Sequence, residues 1–138
     1  MSDNGLDRMN RRFAAVLKNV REVVQPSLVK SGEELAGMMR QLAPEDEGDL
    51  KASIAVTAPG QTTPPYSQPG GSRSAKENEV LVTVGNVAVR YPHLVEFGTS
   101  KAPAQPYFWP TFRLLRKRLE NRTKRAIRKA VRDGWDGA

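Results

Sequence analysis

Apolar residues recur at helical spacing near both ends of this chain and alternate with polar residues only in two short segments between them. One helical stripe lies in residues 6–24, and another lies in residues 111–132. Strict alternation is confined to residues 52–58 and 80–84, which predicts two half-buried strands. The order of these patterns predicts an α+β fold, with a small antiparallel sheet of about three or four strands packed against helices.

A proline divides the N-terminal helical pattern. The residue before a proline avoids the helical region, and so Gln25 predicts an interruption at Pro26. Pro26 suits the first position of a second helix, which we expect to end before Pro44. The sequence therefore predicts two N-terminal helices followed by an acidic turn at residues 44–49. The alternating ligand spacing of a calcium loop is missing from that turn, and we predict no metal site there.

The two predicted strands are separated by a segment rich in proline and glycine. Residues 59–78 contain four prolines, three glycines and one large apolar side chain, that of Tyr66. This composition predicts a flexible loop that is too polar to contribute to the core. We expect the loop to become ordered against a neighbouring molecule, with Tyr66 as its contact residue.

Two further segments carry the remaining apolar side chains. The segment YPHLVEFGT predicts a short helix with Pro92 first, Leu94 and Val95 facing inward, and Gly98 as a left-handed cap. The aromatic run at residues 107–109 either stacks nucleobases or anchors the start of the last helix in the core. We favour the anchor, because the run directly precedes the helical stripe.

The net charge of +7 is concentrated in the last part of the chain. Residues 1–110 hold equal numbers of basic and acidic side chains, whereas the predicted helix at 111–132 holds ten basic residues and one acidic residue, Glu120. We expect this helix to end at Asp133 and Gly134. Like charges three or four residues apart destabilise a helix, which indicates a negative partner. From charge alone, this partner could be nucleic acid, an acidic protein surface or a membrane surface, and the alternative is a solvated helical face. The interface candidates are Tyr66, Arg113, Arg116, Arg122, Arg125, Arg128 and Arg132.

Composition excludes several classes of site. The 138 residues predict one domain, and the absence of cysteine excludes disulfides, thiolate zinc sites and cysteine catalysis. No apolar run approaches the length of a membrane span and no secretory signal is visible, so we expect a soluble protein synthesised in a cytoplasm. A toxin-type ribonuclease would have to use Arg90, His93 and Glu96 as its acid–base group. Glu96 is better explained as a buried carboxylate paired with an arginine.

Two motifs carry a family resemblance. LAPEDEGDLKASI at residues 42–54 and YPHLVEFGTSKAPAQPYFWPTF at residues 91–112 resemble segments of the tail-completion, or head–tail joining, proteins of long-tailed bacteriophages. Glu47 stands where that family usually has threonine, and Tyr107 where it usually has phenylalanine. The positions that match the second motif are Tyr91, Val95, Glu96, Phe97, Gly98, Thr99, Ala104, Pro106 and Pro110.

The resemblance implies a structural virion protein of the phage neck, without catalytic residues, metal or cofactor. Such a protein forms a sixfold ring that completes the tail and joins it to the DNA-filled head. Its implied partners are a head connector or stopper protein, the tail terminator and the tail tube protein, with DNA in the central channel and no membrane. For the basic helix, an acidic face on an adjacent ring is then favoured over DNA, because a channel that lets DNA slide should not grip it tightly. The signature residues are then architectural. Two alternatives stay open: a tail terminator that caps the tail tube, and a nucleic-acid-binding module that uses the basic C-terminal helix.

Overall fold

A computed structural model describes residues 4–44, 48–101 and 103–137 of the chain. The fold class is α+β as predicted, with a long C-terminal helix, although the described residues form a sheet of two strands and not three or four. Residues 45–47 of the predicted acidic turn, including Glu47, lie outside the described residues. The elements are α1 (Gly5–Leu42), α2 (Gly48–Ala52), β1 (Ala55–Thr57), β2 (Leu81–Thr83), α3 (Pro92–Phe97) and α4 (Trp109–Asp136).

The N-terminal half of the chain forms one helix, and the prediction of two helices divided at Pro26 is wrong. Helix α1 begins at a cap in which the Asn4 Oδ1 accepts a hydrogen bond of 2.8 Å from the Asp7 N–H, and it ends before Pro44 as predicted. An interior proline removes one hydrogen bond from a helix. The helix continues because α4 packs along it on both sides of Pro26, and such packing supplies most of a helix's stability in a protein.

Helices α1 and α4 form an antiparallel pair that runs most of the length of the molecule. A Cβ atom at Gly134 would lie 2.8 Å from the Cα of Val16, so the glycine lets the two backbones approach closely. Beside this contact, the rings of Phe13 and Trp135 meet edge to face at 5.5 Å. The prediction that α4 ends at Gly134 is therefore wrong, because this glycine is a packing residue inside the helix.

The sheet packs against α1 through another glycine. A Cβ atom at Gly32 would lie 2.7 Å from Val80 Cγ1 and 3.0 Å from Val56 Cγ1, which explains a glycine at this helical position. The strands are three residues each, shorter than predicted, and β1 begins later than predicted because residues 48–52 form α2. Their antiparallel register pairs Ala55 with Thr83, Val56 with Val82 and Thr57 with Leu81.

The proline- and glycine-rich segment at 59–78 folds back over the strands. Antiparallel bridges join Thr62 to Ser74 within the segment and Gln68 to Val84 at the end of β2. Thr63, Ser67 and Ala75 of this segment are buried, but no residue of the segment belongs to the core cluster, which agrees with the prediction that it is too polar to contribute to the core. Its flexibility in the free protein stays a prediction.

The core lies between the C-terminal half of α1 and the first turns of α4. Residues 5–20 of α1 and 126–136 of α4 lie outside it and form what we call the arm, a two-helix extension of the body. The core cluster consists of the buried residues Leu35, Ala36, Met39, Ala43, Leu50, Ile54, Val84, Val89, Tyr107, Phe108 and Leu115.

Candidate functional site

Glu96 organises the signature segment. Helix α3 buries this side chain to 6 % exposure. Its carboxylate accepts hydrogen bonds from the backbone N–H groups of Tyr107 at 2.8 Å, Phe108 at 3.0 Å and Trp109 at 3.0 Å. A negative charge is favourable at the start of a helix, where N–H groups lack partners within the helix. Glu96 therefore joins α3 to the start of α4, and its partners are these N–H groups and not the predicted arginine.

The chain between the two helices is set by glycine and proline. Gly98 ends α3 at φ 78° and ψ 173°, a region that is open essentially to glycine alone. The positive φ is confirmed, but the prediction of a left-handed cap is wrong, because ψ is extended and lies outside the left-handed helical region. Pro110 occupies the first turn of α4, where a missing N–H costs nothing. Thr99 Oγ1 accepts a hydrogen bond of 3.2 Å from the N–H of Lys101, and Pro106 lies exposed just before the aromatic run.

The aromatic run is a core anchor, as predicted. Tyr107 is fully buried and Phe108 is 7 % exposed, so neither ring is open to a nucleobase. Within the described residues the Tyr107 hydroxyl has no hydrogen-bond partner. Burial, with a smaller contribution from the nearby charge of Glu96, raises the pKa of Tyr107 well above its ordinary value.

Two signature-segment side chains point outward and form what we call the α3 patch, Leu94 and Phe97. Leu94 is 45 % exposed and Phe97 is 70 % exposed, and the prediction that Leu94 faces inward is wrong. Phe97 borders a small groove that is also lined by His93 and Trp109. Two positions that match the motif, Tyr91 and Val95, are partly buried against the core.

The three residues that a ribonuclease would use do not form an acid–base group here. The Glu96 carboxylate is occupied by backbone N–H groups. The Arg90 guanidinium lies 3.8 Å above the Tyr66 ring and donates to the carbonyl oxygen of Val87. His93 is exposed on α3. This geometry supports no catalytic role for them, and the absence of enzymatic activity stays a prediction.

Tyr66 is the large apolar side chain of the loop at 59–78, and it is exposed. Its ring is 53 % exposed, and it has a positive φ of 63°, which is uncommon for a residue with a side chain. The stacking of Arg90 holds one side of the ring. Tyr66 is thus presented at the surface, and its role in an interface stays a prediction.

Part of the basic helix is neutralised internally by Glu34 of α1. Arg118 Nε lies 2.9 Å from Glu34 Oε1, and Arg122 pairs with the other carboxylate oxygen and donates to Ser31 Oγ at 3.2 Å. The hydrogen bond from Arg122, with the charges of both arginines, holds the pKa of Glu34 below its ordinary value. The Arg122 side chain is 19 % exposed, so the structure places this interface candidate in a contact between α1 and α4.

The remaining basic residues of α4 divide into paired and unpaired side chains. Arg116 pairs with Glu120 at 2.9 Å, and Lys129 pairs with Asp133 at 3.0 Å. An outward line of cations is left without an acidic partner among the described residues, and we call it the basic ridge. Its members are Lys117, Lys124, Arg125, Arg128 and Arg132, with the exposed Arg113 one turn before them.

Sequence reasoning missed the exposure of the arm. Helical periodicity places Leu6, Met9, Phe13 and Leu17 on one face of α1, and in the structure these side chains are 63 %, 42 %, 52 % and 57 % exposed. The same face turns into the core farther along α1, where the body of the molecule covers it. The length of the apolar stripe could have indicated this exposure, because the core of so small a protein cannot cover a stripe that extends along the whole helix. We call these four residues the arm stripe.

The structure is that of a small α+β protein. Its signature residue Glu96 joins two helices, and its exposed apolar and basic side chains form the arm stripe, the α3 patch and the basic ridge. Comparison with known proteins gives the family. Residues 7–98, two thirds of the chain, match the family model of the bacteriophage HK97 gp10-like tail component. The chain belongs to this family, which confirms the phage resemblance, and a structural role in the tail follows. No curated protein and no solved structure matches the chain.

Membership in a tail-component family places the protein in the virion, in contact with other virion proteins. The described residues contain no helix that is long and apolar enough to cross a membrane. They also contain no cluster of histidine and acidic side chains arranged to hold a metal ion. The match ends at Gly98, so the second half of the signature and the whole of α4 lie beyond it.

Proposed function

We propose that this tail component forms a closed ring of six subunits in the neck, where it completes the tail and joins it to the DNA-filled head. Family membership supports the location in the tail, and the motifs at 42–54 and 91–112 support the neck. The observation that carries the ring is the presence of two unlike apolar surfaces, the arm stripe and the α3 patch. The proposed partners are a head connector or stopper protein, the tail terminator and the tail tube protein.

The two surfaces lie at opposite ends of α4. Phe13 of the arm packs against Trp135 near the end of α4, whereas Phe97 shares a groove with Trp109 at its start. A helix of this length spans roughly 40 Å, so one chain cannot cover its own α3 patch with its own arm stripe. A head-to-tail contact buries both surfaces at once, and repetition of such a contact closes into a ring when the rotation permits.

The test of the ring is the mass of the native assembly. Serine at the exposed positions Leu6 and Leu17 should convert the ring to a monomer and leave the melting temperature unchanged, because both side chains lie largely in solvent. The matched control places serine at Leu42 and Val87, which are 49 % and 56 % exposed outside both surfaces. The control variant should assemble as the parent does. Normal assembly of the arm variant would show that the arm stripe is not part of the contact between subunits.

Loss of the protein from assembling particles separates neck joining from the tail-terminator alternative. A joining protein acts after the tube has reached its length, so its loss should leave filled heads beside free tails of normal length. A terminator stops the polymerisation of the tube, and its loss should give overlong tubes. Electron microscopy of particles assembled without this protein measures both outcomes, and overlong tubes would contradict the proposed joining role.

A further inference from the structure

We propose that the basic ridge of α4 binds the phosphate backbone of duplex DNA without regard to sequence. The ridge consists of Lys117, Lys124, Arg125, Arg128 and Arg132, all exposed on the outward side of the helix. The proposal goes beyond the ring and does not require it, because each subunit carries the whole ridge on one helix.

The ridge is what remains after the internal charges of α4 are paired. Glu34 forms ion pairs with Arg118 and Arg122. Glu120 pairs with Arg116, and Asp133 pairs with Lys129. Within the described residues no acidic side chain lies at ion-pair distance from any ridge member. The acids therefore neutralise the flanks of the helix and leave one uncompensated line of positive charge.

The ridge follows one broad face of α4. Positions separated by 4, 7 and 11 residues share one face of a helix, which aligns 117, 124, 128 and 132. The rise of a helix places the first and last of these about 22 Å apart. A groove lined by Arg118, Asn121, Lys124, Arg125 and Arg128 lies along the middle of this line. Duplex DNA presents one negative charge per about 1.7 Å of its axis, so its backbone offers partners along the whole ridge.

The make-up of the ridge favours DNA over an acidic protein surface. Of the exposed residues between positions 117 and 132, all but Val131, which is 40 % exposed, are polar or charged: Lys117, Arg118, Glu120, Asn121, Lys124, Arg125, Arg128, Lys129 and Arg132. Stable protein interfaces have a centre that is depleted in charge and enriched in aromatic residues, whereas DNA interfaces are strongly positive and polar. A channel protein that must let DNA move can still bind it, because contacts to phosphates alone allow a protein to slide along DNA.

The test measures the binding of two short duplexes of unrelated sequence by fluorescence anisotropy at several salt concentrations. The parent protein should bind both equally, and five phosphate contacts predict that affinity falls roughly 500-fold between about 50 and 200 mM salt. Glutamine at the five ridge positions should weaken binding at least about 100-fold and remove most of the salt dependence. The ridge variant should melt no lower than the parent, because it loses like-charge repulsion.

A charge-matched control keeps the test specific to the ridge. It replaces five exposed cations elsewhere by glutamine: Arg8, Lys18, Arg21, Lys76 and Lys101. This control should retain the affinity and the salt slope of the parent. Equal losses in both variants would show that net charge alone attracts DNA, which overturns the proposal. Failure of the parent to bind DNA, with head–tail joining lost only in the ridge variant, would also overturn it and assign the ridge to an acidic protein.

Discussion

Glu96 shows how a single buried carboxylate is stabilised without a cation. Three backbone N–H groups at 2.8–3.0 Å satisfy its two oxygens at the start of α4. Hydrogen bonds in which the acceptor is ionised are shorter and stronger than those between neutral groups. The burial of this charge is therefore compensated locally, and the geometry of the α3–α4 junction depends on it.

Replacement of Glu96 tests this dependence. Glu96→Gln keeps the shape of the side chain but removes the charge and turns an amide N–H₂ toward N–H donors, so we expect the free energy of unfolding to fall by about 2 kcal/mol. Glu120→Gln is the control, because Glu120 is exposed and forms a surface ion pair with Arg116, and its loss should cost about 0.5 kcal/mol or less. Urea unfolding of both variants measures the difference. Equal effects would contradict the role assigned to Glu96.

The hydroxyl of Tyr107 is expected to reduce stability, because it is buried without a partner among the described residues. Tyr107→Phe should leave the free energy of unfolding unchanged or raise it by up to about 1 kcal/mol at neutral pH. Burial raises the pKa of the folded tyrosine above its ordinary value of 10.0. The unfolded tyrosine then ionises first as the pH rises, so the parent loses stability above about pH 10 and the variant is spared this loss.

The measurement is the difference in unfolding free energy between the parent and Tyr107→Phe as a function of pH. The difference should be flat below about pH 9 and grow by up to about 1.4 kcal/mol per pH unit above pH 10. A difference that stays flat to pH 11 would show that the buried hydroxyl ionises as readily as a free one.

At the scale of the element, two helical glycines differ in whether a neighbouring helix requires the absence of a side chain. A Cβ atom at Gly134 would lie 2.8 Å from the Val16 backbone, whereas nothing lies within 4 Å of a Cβ at Gly37. Gly134→Ala should lower the free energy of unfolding by about 1–3 kcal/mol, because it forces α1 and α4 apart. Gly37→Ala should raise it by up to about 1 kcal/mol, because alanine favours the helix. Thermal unfolding measures both, and a stabilising Gly134→Ala would contradict the close helix contact.

The errors at this scale have a common physical cause. The rules that divided α1 at Pro26 and ended α4 at Gly134 describe local backbone preference. Both residues lie where the partner helix supplies the stabilising contacts, and one sequence does not reveal that partner. The apolar stripes themselves were predicted from the sequence, because amphipathic periodicity reflects burial directly. The start of β1 was not predicted correctly, because Ala52 belongs to α2 and the strand begins only at Ala55.

At the scale of the molecule, the sequence predicts the fold class and the signature but not the surfaces. The resemblance predicts that Glu96 is architectural, yet its partners are N–H groups eleven to thirteen residues away that the turn after Gly98 brings into reach. The loop at 59–78 is polar, and its burial depends on bridges to its own chain and to β2 that polarity does not reveal. The exposure of the arm stripe depends on where the body ends, which is a property of the whole fold.

Mixing two defective variants tests whether subunits join head to tail. The first variant carries serine at Leu6 and Leu17 and keeps an intact α3 patch, while the second carries serine at Phe97 and keeps an intact arm stripe. Each should be monomeric alone, because a head-to-tail contact needs one surface from each partner. A mixture should give a pair with one copy of each variant and nothing larger, since that pair has no second intact contact to extend. Native mass spectrometry measures these masses. A self-complementary contact between two arm stripes would instead give dimers of the Phe97 variant alone, and that result would contradict the head-to-tail arrangement.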